Sequence, residues 1–231
     1  MIGILSDAHG NHGAFHAAVY HLSSLGAKTF YFLGDAVGYI PSLEVVEALQ
    51  LMGPDVKCIL GNHEMMMLQG NETPERELIY QHQQLRERLS IHQIEFLKSW
   101  PTYRREQIGG ATVLFVHGSP TDFSNGYVYP NTDLNQFKPN SSFVFMGHSH
   151  YPFVRTANGT TFVNVGSCGL PRDDGRFGAA CLFDPKSRTV KVVRFDITDK
   201  TEALLASNTS VHKSVQAVFA RRNNSIFGEF L

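Results

Sequence analysis

Five short polar clusters carry the side chains best suited to chemistry: Asp7-Ala8-His9, Gly34-Asp35, Gly61-Asn62-His63-Glu64, His117-Gly118 and Gly147-His148-Ser149-His150. Their carboxylate and amide oxygens beside imidazole nitrogens, with no thiolate among them, suit Mn²⁺, Fe or Zn²⁺. Asp35 is the natural bridge of a two-metal centre, because one carboxylate can bind two cations and offset their repulsion. Such ions, about 3.5–4 Å apart, hold a hydroxide between them while both polarise a phosphoryl group. Glycine before each of Asp35, Asn62 and His148 allows the close approach that an ion-lined pocket needs. Taken singly, each cluster has an ordinary structural explanation, such as Asp in a turn or a satisfied, partly buried imidazole at His117. As an ordered set they do not, since five polar clusters set after apolar runs are costly to bury without ligands.

The elements that must position these clusters follow from periodicity. Ile2 to Leu5, Thr29 to Leu33, Val56 to Leu60, Thr112 to Val116 and Ser142 to Met146 read as strands, each ending just before one cluster. Helical spacing of Phe15, Val19, Leu22 and Leu25, and of Val45, Val46, Leu49 and Met52 after an expected Ser42 cap, gives the alternation of parallel βαβ units and an α/β fold class. Ligands of open α/β sheets bind at the carboxyl ends of strands, so clusters distant in sequence converge there. A helical insertion is expected at about 73–100, with Thr73 as cap, Pro74 at the first helical position, a stripe of Leu78, Ile79, Leu85 and Leu89, and a second helix from Ser90; it reads as a lid or a side layer. Gly109-Gly110 and Asn158-Gly159 mark hairpins. Gly178 to Phe183 and Val190 to Phe195 are further strands, and a helical tail at about 201–222, carrying Val211, Val215, Val218 and Phe219, is expected to pack on a sheet.

Composition narrows the function classes. The 231 residues fit one α/β domain with an appendage, and 20 Lys+Arg against 21 Asp+Glu give a formal charge of −1, without the basic footprint of a nucleic-acid duplex binder. Eleven histidines beside a single Trp are unusual, and they make the placement of imidazoles decisive. Cys58, Cys168 and Cys181 form no CxxC pair, which reads as buried small hydrophobes in a reducing compartment. No basic leader or apolar run of about 18 residues is present, so a cytoplasmic protein with no membrane partner is expected.

The ordered set resembles the calcineurin-like metallophosphoesterase superfamily, whose series D-x-H, G-D, G-N-H-[DE], H and G-H-x-H runs here from Asp7 to His150. Gly34-Asp35-Ala36-Val37-Gly38-Tyr39, and Asn164-Val165-Gly166-Ser167 with Pro171-Arg172-Asp173, are similar to its small bacterial and archaeal phosphodiesterase branch. The resemblance implies a single domain over 1–231 built as a four-layer α-β-β-α sandwich of mixed β-sheets flanked by helices. It implies two divalent transition-metal ions (Mn, Fe or Zn) as cofactors: Asp7, His9 and His150 for the first, Asn62, His117 and His148 for the second, and Asp35 between them. His63 matches the position that stabilises the transition state or protonates the leaving oxygen, a task for which imidazole is suited near neutral pH. Val37-Gly38-Tyr39 stands where serine/threonine phosphatases carry Asp-Arg, which argues against that branch. Ile40 replaces a frequent glycine and is expected to narrow the substrate mouth. The implied activity is that of a phosphodiesterase on small phosphorylated or nucleotide-like substrates. The alternatives are a phosphomonoesterase on the same site and a catalytically weak metal-binding scaffold, the latter disfavoured by the complete ligand set.

Arg172 and Arg176 are further candidates for a substrate phosphate, against pairing with Asp173 and Asp174. Asn11 suits either a helix cap or a substrate oxygen, and Tyr39 and Phe123 are candidates for stacking on a nucleoside. His12, His16, His21, His82, His92 and His212 read as surface or helix-face residues, Arg221-Arg222 as a solvated helix end, and Cys168 has no assigned role. The sequence leaves the oligomeric state open.

Overall fold

In the computed structural model, which describes residues 1–231, the apolar runs form two sheets and the amphipathic stretches form helices around them. The first half contains β1 (Ile2–Leu5), α1 (His12–Ser24), β2 (Thr29–Phe32), α2 (Glu44–Met52), β3 (Val56–Cys58) and α3 (Asn62–Gln69). Three short helices follow, α4 (Pro74–Tyr80), α5 (His82–Arg88) and α6 (Ile91–Lys98), then β4 (Tyr103–Ile108), β5 (Ala111–Val116) and β6 (Phe143–Met146). The chain ends with β7 (Phe153–Ala157), β8 (Thr160–Asn164), β9 (Phe177–Asp184), β10 (Thr189–Asp196), α7 (Thr198–Ser207), α8 (Lys213–Phe219) and β11 (Glu229–Phe230). No helix is long and apolar enough to cross a membrane.

Both sheets are mixed. One has the order β11-β10-β9-β1-β2-β3, with β1, β2 and β3 parallel and β9 antiparallel to β1. The other has the order β4-β5-β6-β8-β7, in which β5, β6 and β8 are parallel. Side chains from both sheets, among them Ile4, Tyr31, Phe115, Phe145, Val163 and Phe183, form the apolar layer between them. On the far side of the first sheet, Phe15, Leu22, Val45, Leu49, Leu97 and Trp100 bury one face of α1, α2 and α6 against Phe30 and Phe32. The outer face of the second sheet is covered by Val128, Leu134 and Phe137, from the segment joining β5 to β6. Two mixed sheets flanked by helices are therefore the architecture, as the resemblance implies.

Several local expectations need correction. The stripe expected to run from Thr73 to Leu89 is two helices broken at Gln81, whose φ of 57° is left-handed, and Leu78 turns outward with 69% of its surface exposed. Leu43, not Ser42, precedes α2, although Ser42 Oγ still accepts the Glu44 N–H at 3.2 Å. The tail is two helices, and α8 packs not on a sheet but on Ile40, Leu170 and Leu204, over loops at the end of the molecule where β1 and β2 terminate. That contact also corrects Ile40, which is fully buried beneath the tail and does not narrow a mouth. Asp173, a candidate partner for Arg172 and Arg176, pairs instead with the fully buried Arg194 at 2.6 Å. Cys58, Cys168 and Cys181 are free thiols buried in the apolar layers.

Candidate metal centre

The parallel strands β1, β2 and β3 of one sheet and β5 and β6 of the other end at the same rim, and all five clusters emerge there. Tight turns follow each strand, and the backbone adopts rare conformations. Of ten non-glycine residues with positive φ, five are predicted ligands: Asp7 (57°), His9 (48°), Asp35 (59°), His148 (63°) and His150 (61°). Each left-handed residue costs about 1–2 kcal/mol, and such strain persists where surrounding structure over-determines it, commonly at functional sites. Glu64, at the start of α3, supplies part of that restraint: its two carboxylate oxygens accept backbone N–H groups from Asp35, Ala36, Val37 and Gly61 at 2.7–3.2 Å. It thereby ties the turn after β2 to the turn after β3. Burial and the Asp35 carboxylate push the Glu64 carboxyl up, to about 7, against these hydrogen bonds.

The two aspartates are held alike. His148 N–H donates to Asp7 Oδ2 at 3.0 Å and His63 N–H donates to Asp35 Oδ1 at 2.9 Å, so each carboxylate turns its other oxygen to the centre. Asp7 Oδ1 is buried without a hydrogen-bond partner, 3.2 Å from His150 Nε2 and 3.7 Å from His9 Nε2. Asp35 Oδ2 lies between the two groups, 3.7 Å from His9 Nε2 and 3.2 Å from His117 Nε2.

Four imidazoles face inward with one nitrogen already committed outward. Nδ1 of His9, His117 and His150 donates to the carbonyls of Val37, Leu33 and Leu170 at 3.0, 2.7 and 2.5 Å, and His148 Nε2 donates to Asn125 O at 3.2 Å. A carbonyl only accepts, so in each neutral ring the inward nitrogen carries a lone pair. The inward nitrogens crowd together: His9 Nε2 and His150 Nε2 are 3.2 Å apart, as are His117 Nε2 and His148 Nδ1, with Asn62 Oδ1 3.0 Å from His117 Nε2. Such an arrangement could hold cations. Three groups have ligand atoms close enough to hold an ion: Asp7, His9 and His150; Asp35, His117 and His148; and His9, Asp35 and His63.

Electrostatics point the same way. Burial pushes Asp7 and Asp35 up, but the surrounding imidazoles, led by His150 for Asp7 and His117 for Asp35, outweigh it and hold both carboxyls below the usual range. Burial drives His9 down to about 3 and, with His117 nearby, His148 down to about 4. His117 goes the other way: burial opposes its charge, but Asp35 and then Asp7 raise it to about 10. Without metal, His117 thus holds a proton on its inward nitrogen, and an ion bound there would displace it.

The structure brings Asp7, His9, Asp35, Asn62, His63, His117, His148 and His150 together. Tyr39 packs its ring 4.8 Å from His9 and 4.7 Å from His63, and Arg172 Nη2 donates to Tyr39 Oη at 3.4 Å. Asn11 is different: Oδ1 accepts Ala14 N–H, and Nδ2 donates to Gly169 O and Thr201 Oγ1, so its polar atoms are spent on the α1 cap and on α7 rather than on a substrate oxygen. Arg176 is held by Asp174 at 2.8 Å, and Phe123 packs on Tyr103. Tyr127, missed in the irregular segment between β5 and β6, packs against His148 with ring centroids 4.0 Å apart and planes tilted by 30°. His82 was expected at a surface but is buried, 2.9 Å from His63. A cleft of about 500 Å³ adjoins the centre, lined by Tyr39, Tyr80, Tyr129, Tyr151, Leu170 and Arg172 among others.

Comparison with known proteins agrees with this geometry. A family model for the calcineurin-like phosphoesterase superfamily domain matches residues 1–188. An uncharacterized protein of Methanocaldococcus jannaschii is 29% identical over 229 residues, covering 89% of this chain and 92% of its own. The crystal structure of a metallophosphoesterase from Sphaerobacter thermophilus is similar with a TM-score of 0.73 and 25% identity, covering 95% of this chain and 98% of that one. The structure of a hypothetical protein from Pyrococcus horikoshii shares the fold with a TM-score of 0.79 and 21% identity over the same shares, 95% and 98%.

Proposed function

The chain belongs to the calcineurin-like phosphoesterase superfamily, a dimetal-dependent family of phosphoric ester hydrolases, and on that premise we propose that it hydrolyses small, nucleotide-like phosphodiesters. The observation that carries the reading is the set of inward-facing nitrogens of His9, His117, His148 and His150 around two carboxylates, one of which has an orphaned buried oxygen. Asp7, His9 and His150 would hold one divalent ion, Asn62, His117 and His148 a second, and Asp35 both; Mn, Fe and Zn all suit these donors. When bound, such ions polarise phosphoryl oxygens, activate water and offset the charge that develops in the transition state.

The remaining work belongs to the chain's own side chains. His63 is held by its backbone N–H on Asp35, which aligns its ring beside the phosphoryl position, and it delivers a proton to the leaving oxygen as the P–O bond breaks. Arg172 forms no salt bridge to Asp or Glu, and burial around its guanidinium favours an anionic partner; a non-reacting phosphoryl oxygen would be that partner. Tyr39, packed on His9 and His63, and Tyr127, packed on His148, flank the same position. A diester carries a second organic group, and the tyrosine-lined cleft beside Arg172 has room for it, which favours the diester over the monoester. Side-by-side kinetics on bis(p-nitrophenyl) phosphate and p-nitrophenyl phosphate with added Mn²⁺ test this. The diester should have the higher kcat/KM, and Asn62→Ala should abolish most turnover in a folded protein. Preference for the monoester would overturn the diester reading.

A further inference from the structure

His63 is 3% exposed and its ring is enclosed by other rings, with centroids of Tyr39 at 4.7 Å, Tyr80 at 4.9 Å and His82 at 5.0 Å. Its Nδ1 points away from the metal centre and lies 2.9 Å from His82 Nε2. His82, itself 1% exposed, places its other nitrogen, Nδ1, 3.2 Å from Glu72 Oε1. The side chain of Glu72 is only 6% exposed. The direction of this chain of contacts follows from its end. An ionised carboxylate accepts and cannot donate, so His82 carries its proton on Nδ1 and offers the lone pair of Nε2. His63 must then donate Nδ1–H to it. Nε2, which makes no hydrogen bond within the protein, remains the one nitrogen of His63 able to exchange a proton with a substrate.

We propose that Glu72 and His82 are positioning residues that fix the tautomer and orientation of His63, so that its Nε2 alone faces the reacting phosphoryl group. The proposal rests on the reading of His63 as the group that protonates the leaving oxygen. In that step His63 takes up on Nε2 the proton released by the attacking water and passes it to the leaving oxygen; the Nε2–H and ester P–O bonds break, the water oxygen forms the new P–O bond, and His63 ends neutral with Nδ1–H still on His82. Glu72 lies in the loop between α3 and α4 and His82 opens α5, where the left-handed Gln81 turns the chain so that the imidazole points inward. The helical insertion thus contributes His82 to the positioning of His63.

The test uses the full chain and three variants: His82→Phe, which keeps a ring but removes the acceptor; His82→Gln, which restores an acceptor oxygen; and Glu72→Leu. Ring ¹⁵N NMR of the metal-free protein should show His63 as the Nδ1–H tautomer, and His82→Phe should lose that preference. With Mn²⁺ added, His82→Phe and Glu72→Leu should lose roughly 10²-fold in kcat on a diester with an alkyl leaving group, and about threefold or less with p-nitrophenolate, which departs without a proton. KM and metal content should be unchanged, and His82→Gln should recover most of the loss. An equal loss on both leaving groups, an unaltered kcat on the alkyl ester, or an Nε2–H tautomer of His63 in the parent protein would overturn the proposal. If the parent hydrolyses neither diester, the phosphohydrolase reading itself fails, and the ¹⁵N spectra still decide whether the hydrogen-bonded chain exists.

Discussion

Substitution of Gly38 by alanine isolates the contribution of His63. Gly38 has φ of +90°, and a Cβ built there would lie 2.2 Å from His63 Nδ1 and 2.9 Å from its Cγ. Such contacts relax at about 3.5 Å, so the ring must retreat by about 1 Å. Nδ1 is already held by His82, and the retreat therefore breaks that hydrogen bond or swings Nε2 away from the phosphoryl position. A misplacement of about 1 Å costs roughly 10²-fold in rate. Alanine at this backbone conformation also costs about 1–2 kcal/mol, or a Tm lower by about 2–8 °C for a chain of this size. Gly26 provides the control, because its φ is +93° with no heavy atom within 4 Å of a built Cβ. Calorimetry and kcat on a diester with an alkyl leaving group, run on both variants with metal content measured, separate the terms. Gly38→Ala should lose at least as much Tm as Gly26→Ala, while only Gly38→Ala loses turnover and both retain metal. Equal turnover in the two variants would refute the reasoning that His63 acts from the position seen here.

Two other perturbations probe the frame of the site. Glu64→Ala leaves four buried backbone N–H groups without acceptors; urea unfolding should show a loss of about 3 kcal/mol or more, and a loss under about 1 kcal/mol would mean the turns after β2 and β3 hold themselves. The metal-free chain should be most stable near pH 6.5. His9 and His148 have folded values depressed to about 3 and 4, so their contribution is lost as pH falls below 6.5. His117 has a folded value raised to about 10, so its contribution is full below 6.5 and lost as pH rises towards 10. In the metal-loaded protein the ion replaces the His117 proton, and the alkaline decline should disappear; Tm against pH with and without chelator checks this, and an alkaline limb unchanged by metal would contradict it.

Much of the site is legible in the sequence because each cluster follows an apolar run and the run sets its place at a sheet rim. Asp7, Asp35 and His148 are found that way, and so are the hairpins at Gly109-Gly110 and Asn158-Gly159. What escapes notice is held by contacts without local periodicity. His82 sits in a stripe that reads as continuous helix, and only the left-handed Gln81 turns it inward to a ring 19 positions away. Glu64 is read only as a member of the Gly61–Glu64 cluster, and its tie between two turns shows only in its N–H partners. Tyr127 lies in an irregular segment with no pattern to mark it, while Ile40 is buried by a tail helix that the sequence assigns to a sheet face. Asn11 has two plausible uses by sequence, and its fully occupied hydrogen bonds decide for the cap.

The most direct test of the dimetal phosphohydrolase account is elemental analysis of the purified chain, paired with diester hydrolysis before and after chelation and in Asp35→Asn. The account predicts up to two transition-metal ions per chain, turnover that chelation removes and added metal restores, and an Asp35→Asn protein that is folded, binds fewer ions and is nearly inactive. A protein that binds no transition metal, or that hydrolyses the diester equally well with the chelator present, would contradict it.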